Sequence, residues 1–278
     1  MVIPGESRTE NQRKAVAFIN SIFSLVILIL SFSPGIAQAE ITKPSWQINK
    51  SQHFIIYHQN VQPALVDDLI SKAEFYYNSI VDDLGYRRFD FWNWENRAKI
   101  YLYRNAGEFQ RETQNSSWAG AVVSVNSRVI KTYVGQSGFF DSILPHEMTH
   151  IIFREFIGKN IQLPLWIDEG VASSQEQSSL NLRLQKAKEL IKQNKHVGLD
   201  VLSGVAKPDE NMEPGVFYSE AASVIVFLLS EKGKEDFLGF SRRLRDGVYW
   251  KRALLKSFNF ISFQDFEAEW KNFVLQQY

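Results

Sequence analysis

Two histidines four residues apart could bind one metal ion together. His146 and His150 flank Glu147 in an H-E-x-x-H pattern, and residues at this spacing lie on the same face of a helix. Both imidazoles could therefore reach a single ion, with the carboxylate of Glu147 beside it. The pattern alone also fits a surface helix whose two histidines make only hydrogen bonds.

A carboxylate further along the chain could supply a third ligand. A catalytic zinc ion is typically held by three protein ligands and keeps one position open for water. Glu169 stands nineteen positions after His150, in a segment that begins near Pro164 and is predicted to be the next helix. Because the chain contains no cysteine, any metal site must be built from histidines and carboxylates. His146, His150 and Glu169 are therefore the predicted ligands of Zn²⁺.

These residues resemble the zinc site of the gluzincins. H-E-x-x-H at 146–150, followed after eighteen residues by Glu169 within Trp-Ile-Asp-Glu-Gly-Val-Ala at 166–172, is similar to the peptidase MA-like family. The thermolysin-like peptidases and the zinc aminopeptidases are more distantly similar. The resemblance implies a zinc metallopeptidase in which His146, His150 and Glu169 bind the metal. It also implies that Glu147 is the general base toward a zinc-activated water that hydrolyses peptide bonds.

The resemblance points to further features around this site. Tyr218 begins the next long predicted helix, and similar enzymes place a tyrosine where it stabilises the oxyanion, although a tyrosine at a helix start can simply be half-buried. The segment 118–121 could be a sheet edge that pairs with an extended peptide. Asp168 and Ser173 could accept hydrogen bonds from the ligand histidines, but Asp168 equally fits a solvated acid in the first turn of a helix.

The elements that must position these residues are predicted to be strands first and helices afterwards. Strands are predicted over 53–58, 99–103, 118–125 and 128–134, and helices over 63–84, 106–113, 142–156, from 164, and over 180–194, 218–232, 234–245 and 263–276. This order indicates an α+β fold. The resemblance makes it zincin-like, with an N-terminal mixed sheet and helices before a mostly helical part that carries the H-E-x-x-H helix. Residues 40–198 are expected to form the catalytic core and 199–278 to complete the domain, with a loop over 199–216 as the boundary.

Residues 1–39 have the composition of a targeting segment. Arg13 and Lys14 precede a largely apolar run over 15–32, which is followed by Pro34-Gly35 and by the small residues of Ala37-Gln38-Ala39, a site that a signal peptidase could read. The run is close to the minimum length of a membrane span, so an uncleaved anchor over 15–32 is the alternative to a cleaved signal peptide. In both cases the rest of the chain is expected to be exported to the periplasm or the cell exterior.

The charge of the chain argues against some partners. With a formal net charge of +0 at pH 7, the sequence gives no electrostatic reason to expect nucleic acid or an anionic surface as a partner. A peptide or protein substrate is expected, and contact with a membrane only through an uncleaved N-terminal segment. The alternative function is a non-catalytic zinc-containing module that binds peptides or envelope components, but such a module would not need Glu147 in addition to three ligands. The sequence predicts neither the cleavage specificity nor the oligomeric state.

Overall fold

The computed structural model describes residues 45–86, 92–114, 120–208 and 212–278. The predicted targeting segment over 1–39 lies outside these residues, and so do Trp118 and Ala119 of the predicted sheet edge. Residues Ser45–Tyr278 form one compact unit. Among the described helices, none combines the length and the hydropathy that crossing a membrane requires.

Short strands build a five-stranded mixed sheet. They are β1 (Gln47–Lys50), β2 (Phe54–His58), β3 (Ala98–Tyr103), β4 (Ala121–Ser124) and β5 (Val129–Tyr133), arranged in the order β1-β2-β3-β5-β4. The central strands β2, β3 and β5 are parallel, whereas β1 and β4 pair antiparallel at the two edges. In β2, Phe54 and Ile56 are buried while the alternating Ile55 and Tyr57 are only partly buried, because successive side chains of a strand point to opposite faces.

Helices account for most of the described chain outside the sheet. They are α1 (Pro63–Asp83), α2 (Ala106–Thr113), α3 (Leu144–Ile157), α4 (Leu165–Ser173), α5 (Leu180–Lys192), α6 (Leu199–Leu202), α7 (Pro214–Phe227), α8 (Lys234–Arg245), α9 (Trp250–Ser257) and α10 (Phe263–Gln277). A 3₁₀ turn spans Trp94–Asn96, and π-helical turns span Phe139–Ile143 and Leu228–Lys232. The strand-rich N-terminal part and the helical remainder confirm the predicted α+β fold.

The helix α3 is held in the core by its apolar face. It packs against α1, α4 and α8. Burying one large aliphatic or aromatic side chain contributes about 1.5–3 kcal/mol to folding, and α3 has several that are fully buried: Met148, Ile151, Ile152 and Phe153. The helix is therefore a fixed platform for His146 and His150, which lie on its partly exposed face.

The structure differs from the sequence-based prediction mainly at element boundaries. The helix that contains Tyr218 begins at Pro214, although the sequence pattern predicts a loop over 199–216. Proline suits the first turn of a helix, because the N–H that it lacks would have no partner there. The helix predicted from 142 begins at Leu144, after the π-helical turn.

Three short elements, β1, α6 and α9, have no counterpart in the prediction; α6 lies inside the predicted loop over 199–216. All four residues of β1 are exposed, so the strand shows no alternation of burial from which it could be recognised. The helix α9 buries Trp250, Ala253, Leu254 and Ser257. This is the spacing of one helical face, so the sequence contains a periodic signal that the prediction does not use.

Candidate metal centre

The helices α3 and α4 bring His146, His150 and Glu169 together. The Nε2 atoms of the two histidines are 3.1 Å apart. The Oε2 atom of Glu169 lies 3.5 Å from Nε2 of His146 and 3.7 Å from Nε2 of His150. All three side chains are partly buried, and they form a group that could hold a metal ion.

The dimensions of this triangle suit a zinc ion. Zinc binds histidine nitrogen and carboxylate oxygen at about 2.0–2.2 Å in tetrahedral geometry, which separates any two ligand atoms by about 3.3 Å. The three separations of 3.1, 3.5 and 3.7 Å lie on either side of that value. The donor set of two imidazoles and one carboxylate is also one that catalytic zinc sites use.

A buried carboxylate orients His146. The Nδ1 atom of His146 is 2.8 Å from Oε1 of Glu176, and only 3% of the Glu176 side chain is exposed. A carboxylate accepts hydrogen bonds, so the Nδ1–H of His146 donates to it and the lone pair of Nε2 faces the cluster. Glu176 is therefore the outer-shell acceptor for this histidine, a role for which the sequence pattern suggests only Asp168 and Ser173.

Glu176 is itself held by three side chains. The hydroxyl of Ser142 donates to its Oε2 at 3.1 Å, Ser179 donates to the same atom, and Nη2 of Arg183 donates at 2.8 Å. Burial alone would raise the pKa of Glu176, but the hydrogen bonds from His146, Ser179 and Arg183 lower this pKa to about 2. Glu176 therefore stays ionised and keeps the ring of His146 in one orientation and one tautomer.

A second carboxylate faces His150. The Oδ1 atom of Asp168 lies 3.7 Å from Nδ1 of His150, and Asp168 accepts two hydrogen bonds of 3.0 Å from the guanidinium of Arg154. Arg154 also donates to the carbonyl of Ile161 at 2.7 Å. Asp168 is thus an anchored residue of the site and not a solvated acid, whereas the buried hydroxyl of Ser173 makes no hydrogen bond within the described residues.

The electrostatics of the cluster favour positive charge at its centre. Burial opposes protonation of His150, but the carboxylates of Asp168 and Glu169 outweigh it and raise the pKa of His150 to about 10. Burial would raise the pKa of Glu169, but its contacts with His146 and His150 hold this pKa far below its usual range. The raised pKa of His150 and the lowered pKa of Glu169 both show that the site favours a positive charge next to the carboxylate of Glu169. A metal site requires this property.

Glu147 and Tyr218 lie beside the cluster. Glu147 is partly buried on α3, and its carboxylate has no hydrogen-bond partner in the part of the chain that the structure describes. Tyr218 is half-buried on α7, with Cζ of Arg183 5.3 Å from its ring centroid. Burial and the nearby carboxylates of Glu169, Glu176 and Glu147 raise the pKa of Tyr218 to about 12, against the opposing charge of Arg183. Its phenol therefore keeps its proton at neutral pH and can donate a hydrogen bond.

Gly170 lets α7 approach α4, the helix that carries Glu169, closely. A Cβ atom on Gly170 would lie 2.5 Å from the carbonyl oxygen of Ala221 and 2.9 Å from Cγ1 of Ile225, both on α7. Only glycine permits this spacing of α4 and α7. Because Glu169 and Tyr218 are on these two helices, Gly170 sets the distance between the third ligand and the tyrosine. The structure places Tyr218 one turn into α7 and not at its start.

The predicted sheet edge is described in part. The strand β4 lies at one end of the sheet and contains Ala121, while Gly120 precedes it and accepts a hydrogen bond of 2.9 Å from the hydroxyl of Thr132.

The three remaining histidines of the chain lie apart from the cluster. His53 pairs with Glu74, His58 contacts Asn49, and His196 lies near Glu267.

A comparison with protein families places the chain in one of them. A model of the Peptidase MA superfamily matches residues 93–276, roughly two thirds of the chain, and this range contains α3, α4 and α7. A comparison with curated proteins finds no match. Metallopeptidases are typical of the superfamily, and the family resemblance and the zincin-like fold predicted from the sequence are confirmed. The chain therefore belongs to the Peptidase MA superfamily.

Proposed function

We propose that the protein is an exported zinc metallopeptidase that hydrolyses peptide bonds. The observation that carries this proposal is the triangle of His146, His150 and Glu169, whose ligand atoms are 3.1–3.7 Å apart. The hydrogen bond from His146 to the buried Glu176 supports it, because ligating histidines in zinc sites typically donate their second ring nitrogen to a carboxylate. Export is supported by the sequence of residues 1–39 alone.

In the proposed mechanism, three residues bind the metal and a fourth transfers the proton. A zinc ion bound here would act as a Lewis acid toward the water and the substrate carbonyl. The Nε2 atoms of His146 and His150 and the Oε2 atom of Glu169 would hold it. The carboxylate of Glu147, which has no hydrogen-bond partner among the described residues, takes the proton of the attacking water and delivers it to the nitrogen of the departing amine.

Tyr218 is the proposed donor to the substrate oxygen. As the water attacks, negative charge develops on the carbonyl oxygen of the substrate, and a fixed hydrogen-bond donor stabilises it. The phenol of Tyr218 is protonated at neutral pH, and the charges of Glu169 and Glu147 contribute to its raised pKa. This proximity to the third ligand and to the base supports a position of Tyr218 beside the reacting carbonyl. The outer edge of β4, which pairs with no strand among the described residues, is the proposed place where an extended peptide substrate pairs with the sheet.

A comparison of three variants tests this proposal. Purified protein is expected to contain zinc and to cleave members of a peptide library. Glu147→Gln should keep the zinc but lower turnover by about 10²–10⁴-fold, since it removes the general base. Tyr218→Phe should lower kcat by about 10²–10³-fold. The control is Glu189→Gln, which makes the same change at an exposed position of α5 and should leave both quantities unchanged.

Two results would contradict the proposed mechanism. Undiminished cleavage by the Glu147→Gln variant would exclude this residue as the base. Stoichiometric zinc in a wild-type protein that cleaves no peptide would favour the alternative function, a zinc-containing module that binds peptides or envelope components.

A further inference from the structure

A shallow surface cavity combines cationic and apolar side chains. It has a volume of about 680 Å³ and lies between α9 and the turn that leads into α10. Among its lining residues are three cations, Lys251, Arg252 and Lys256, and three residues with apolar surface, Tyr249, Leu255 and Ile261. We call these six residues the α9 patch. No acidic side chain of the described chain lines the cavity, and none of the lining residues belongs to the metal centre.

Two side chains of the α9 patch are unusually exposed for their size. Ile261 is 92% exposed, the highest value among the large hydrophobic residues that the structure describes, and Tyr249 is 65% exposed. The turn that carries Ile261 is well held, because Phe260 beside it is buried and the backbone N–H of Ile261 donates to Asp265 at 3.1 Å. The chain therefore presents Ile261 to the outside in a fixed position. Tyr249, Leu255 and Ile261 line one cavity, so their apolar surface is grouped and not scattered, as it is at interaction surfaces.

The cations of the α9 patch leave a local excess of positive charge. Lys251 forms an ion pair with Asp200 at 2.9 Å. Arg252 and Lys256 are exposed, and neither forms an ion pair with a described residue. The formal net charge of the whole chain is +0, so this excess is a property of one side of the protein. The net charge of the chain gives no electrostatic reason to expect an anionic surface as a partner, but it does not take such a local arrangement into account.

We propose that the α9 patch binds the anionic surface of a phospholipid bilayer. Each lysine or arginine near such a surface contributes about 1 kcal/mol, which is about fivefold in affinity. Tyrosine is favoured at the boundary between headgroups and acyl chains, and Ile261 would insert between the lipids beside it. An acidic peptide would use the cations but would leave the protruding Ile261 in water. The proposal is independent of the zinc centre and of whether residues 15–32 are cleaved.

A fluorescent probe at Ile261 tests the proposal on the full chain. Because the chain contains no cysteine, an Ile261→Cys variant can be labelled at this position alone with an environment-sensitive dye. We expect the emission to shift to the blue with vesicles of phosphatidylcholine and phosphatidylglycerol, and not with phosphatidylcholine alone. The same dye on Leu182→Cys, at a position on α5 that is 71% exposed, should show no shift. The probe reports its own surroundings, so an N-terminal segment inserted in the vesicle does not mask the result.

Charge variants in the labelled background make the test quantitative. Neutralising Arg252→Gln and Lys256→Gln together should raise the lipid concentration for half of the shift by about 25-fold, from fivefold for each charge. The control pair Lys192→Gln and Lys195→Gln removes two exposed cations near the end of α5 and should change this lipid concentration little. Equal shifts with neutral vesicles, no shift with anionic vesicles, or equal losses in both pairs would overturn the proposal. A shift with polyglutamate but not with vesicles would assign the patch to an acidic protein instead and would also overturn it.

Discussion

Replacing Glu176 by glutamine should weaken zinc binding without touching a ligand. Only 3% of the Glu176 side chain is exposed, and its Oε1 atom lies 2.8 Å from Nδ1 of His146. Glutamine has a similar shape, but its amide offers one acceptor oxygen where the carboxylate has two, and its NH₂ group would face donors such as Ser179 and Arg183. Loss of such an outer-shell partner typically lowers metal affinity about 10–100-fold, which corresponds to about 1.4–2.7 kcal/mol.

The assay must separate orientation of His146 from general destabilisation. We expect the zinc Kd of Glu176→Gln, measured by competition with a chromophoric chelator, to rise by the stated factor while the protein stays folded. The matched control is Glu155→Gln on α3. Glu155 is also largely buried, and it accepts hydrogen bonds from Trp92 and Arg128, away from the cluster. This control should lower the free energy of unfolding but leave the zinc Kd unchanged. A folded Glu176→Gln variant with the wild-type Kd would refute the reasoning.

Two further predictions concern stability. Gly170→Ala should lower the free energy of unfolding by about 1–3 kcal/mol, because the new Cβ would meet the backbone of α7 at 2.5 Å. Urea titration should show this loss. The control Gly239→Ala on α8 should instead raise the free energy of unfolding, because its Cβ has room and alanine favours the helix by about 0.5–1 kcal/mol. Glu220 has its pKa raised to about 8 by burial, against the hydrogen bond from the backbone of Val197. Because this folded pKa lies above the unfolded one, the stabilising contribution is complete below about pH 4.5 and is lost as the pH rises through about 8. Unfolding titrations across this window should show Glu220→Gln gaining stability relative to wild type with rising pH, and a constant difference would contradict the assignment.

The ligand set could be predicted because its signals are local. The spacing of His146 and His150 follows from the period of one helix, and Glu169 stands in a short apolar segment that the resemblance to a family identifies. The buried face of α3, with Met148 and Ile152, repeats at the same period. The sequence therefore contains both the platform and the ligands in one continuous stretch.

The outer parts of the site could not be predicted, because long-range packing decides them. Glu176 meets His146 across 30 positions of the chain, and no periodicity connects a residue after α4 with one on α3. Arg183 joins this network from α5, a further helix. The start of α7 was predicted wrongly for a local reason, since Pro214 and Gly215 are as typical of a loop as of a first helical turn. As a consequence, Tyr218 lies inside a helix and not at its start.

The zinc content of Glu169→Ala compared with wild type tests the central claim most directly. After dialysis against limiting zinc, wild-type protein should retain a single zinc ion per chain by mass spectrometry, because two imidazoles and one carboxylate converge within 3.7 Å. Removal of the carboxylate leaves only His146 and His150, so the variant should lose most of its zinc while its fold, followed by circular dichroism, persists. Stoichiometric zinc in the variant, held as tightly as in wild type, would contradict the claim that this carboxylate is the third ligand.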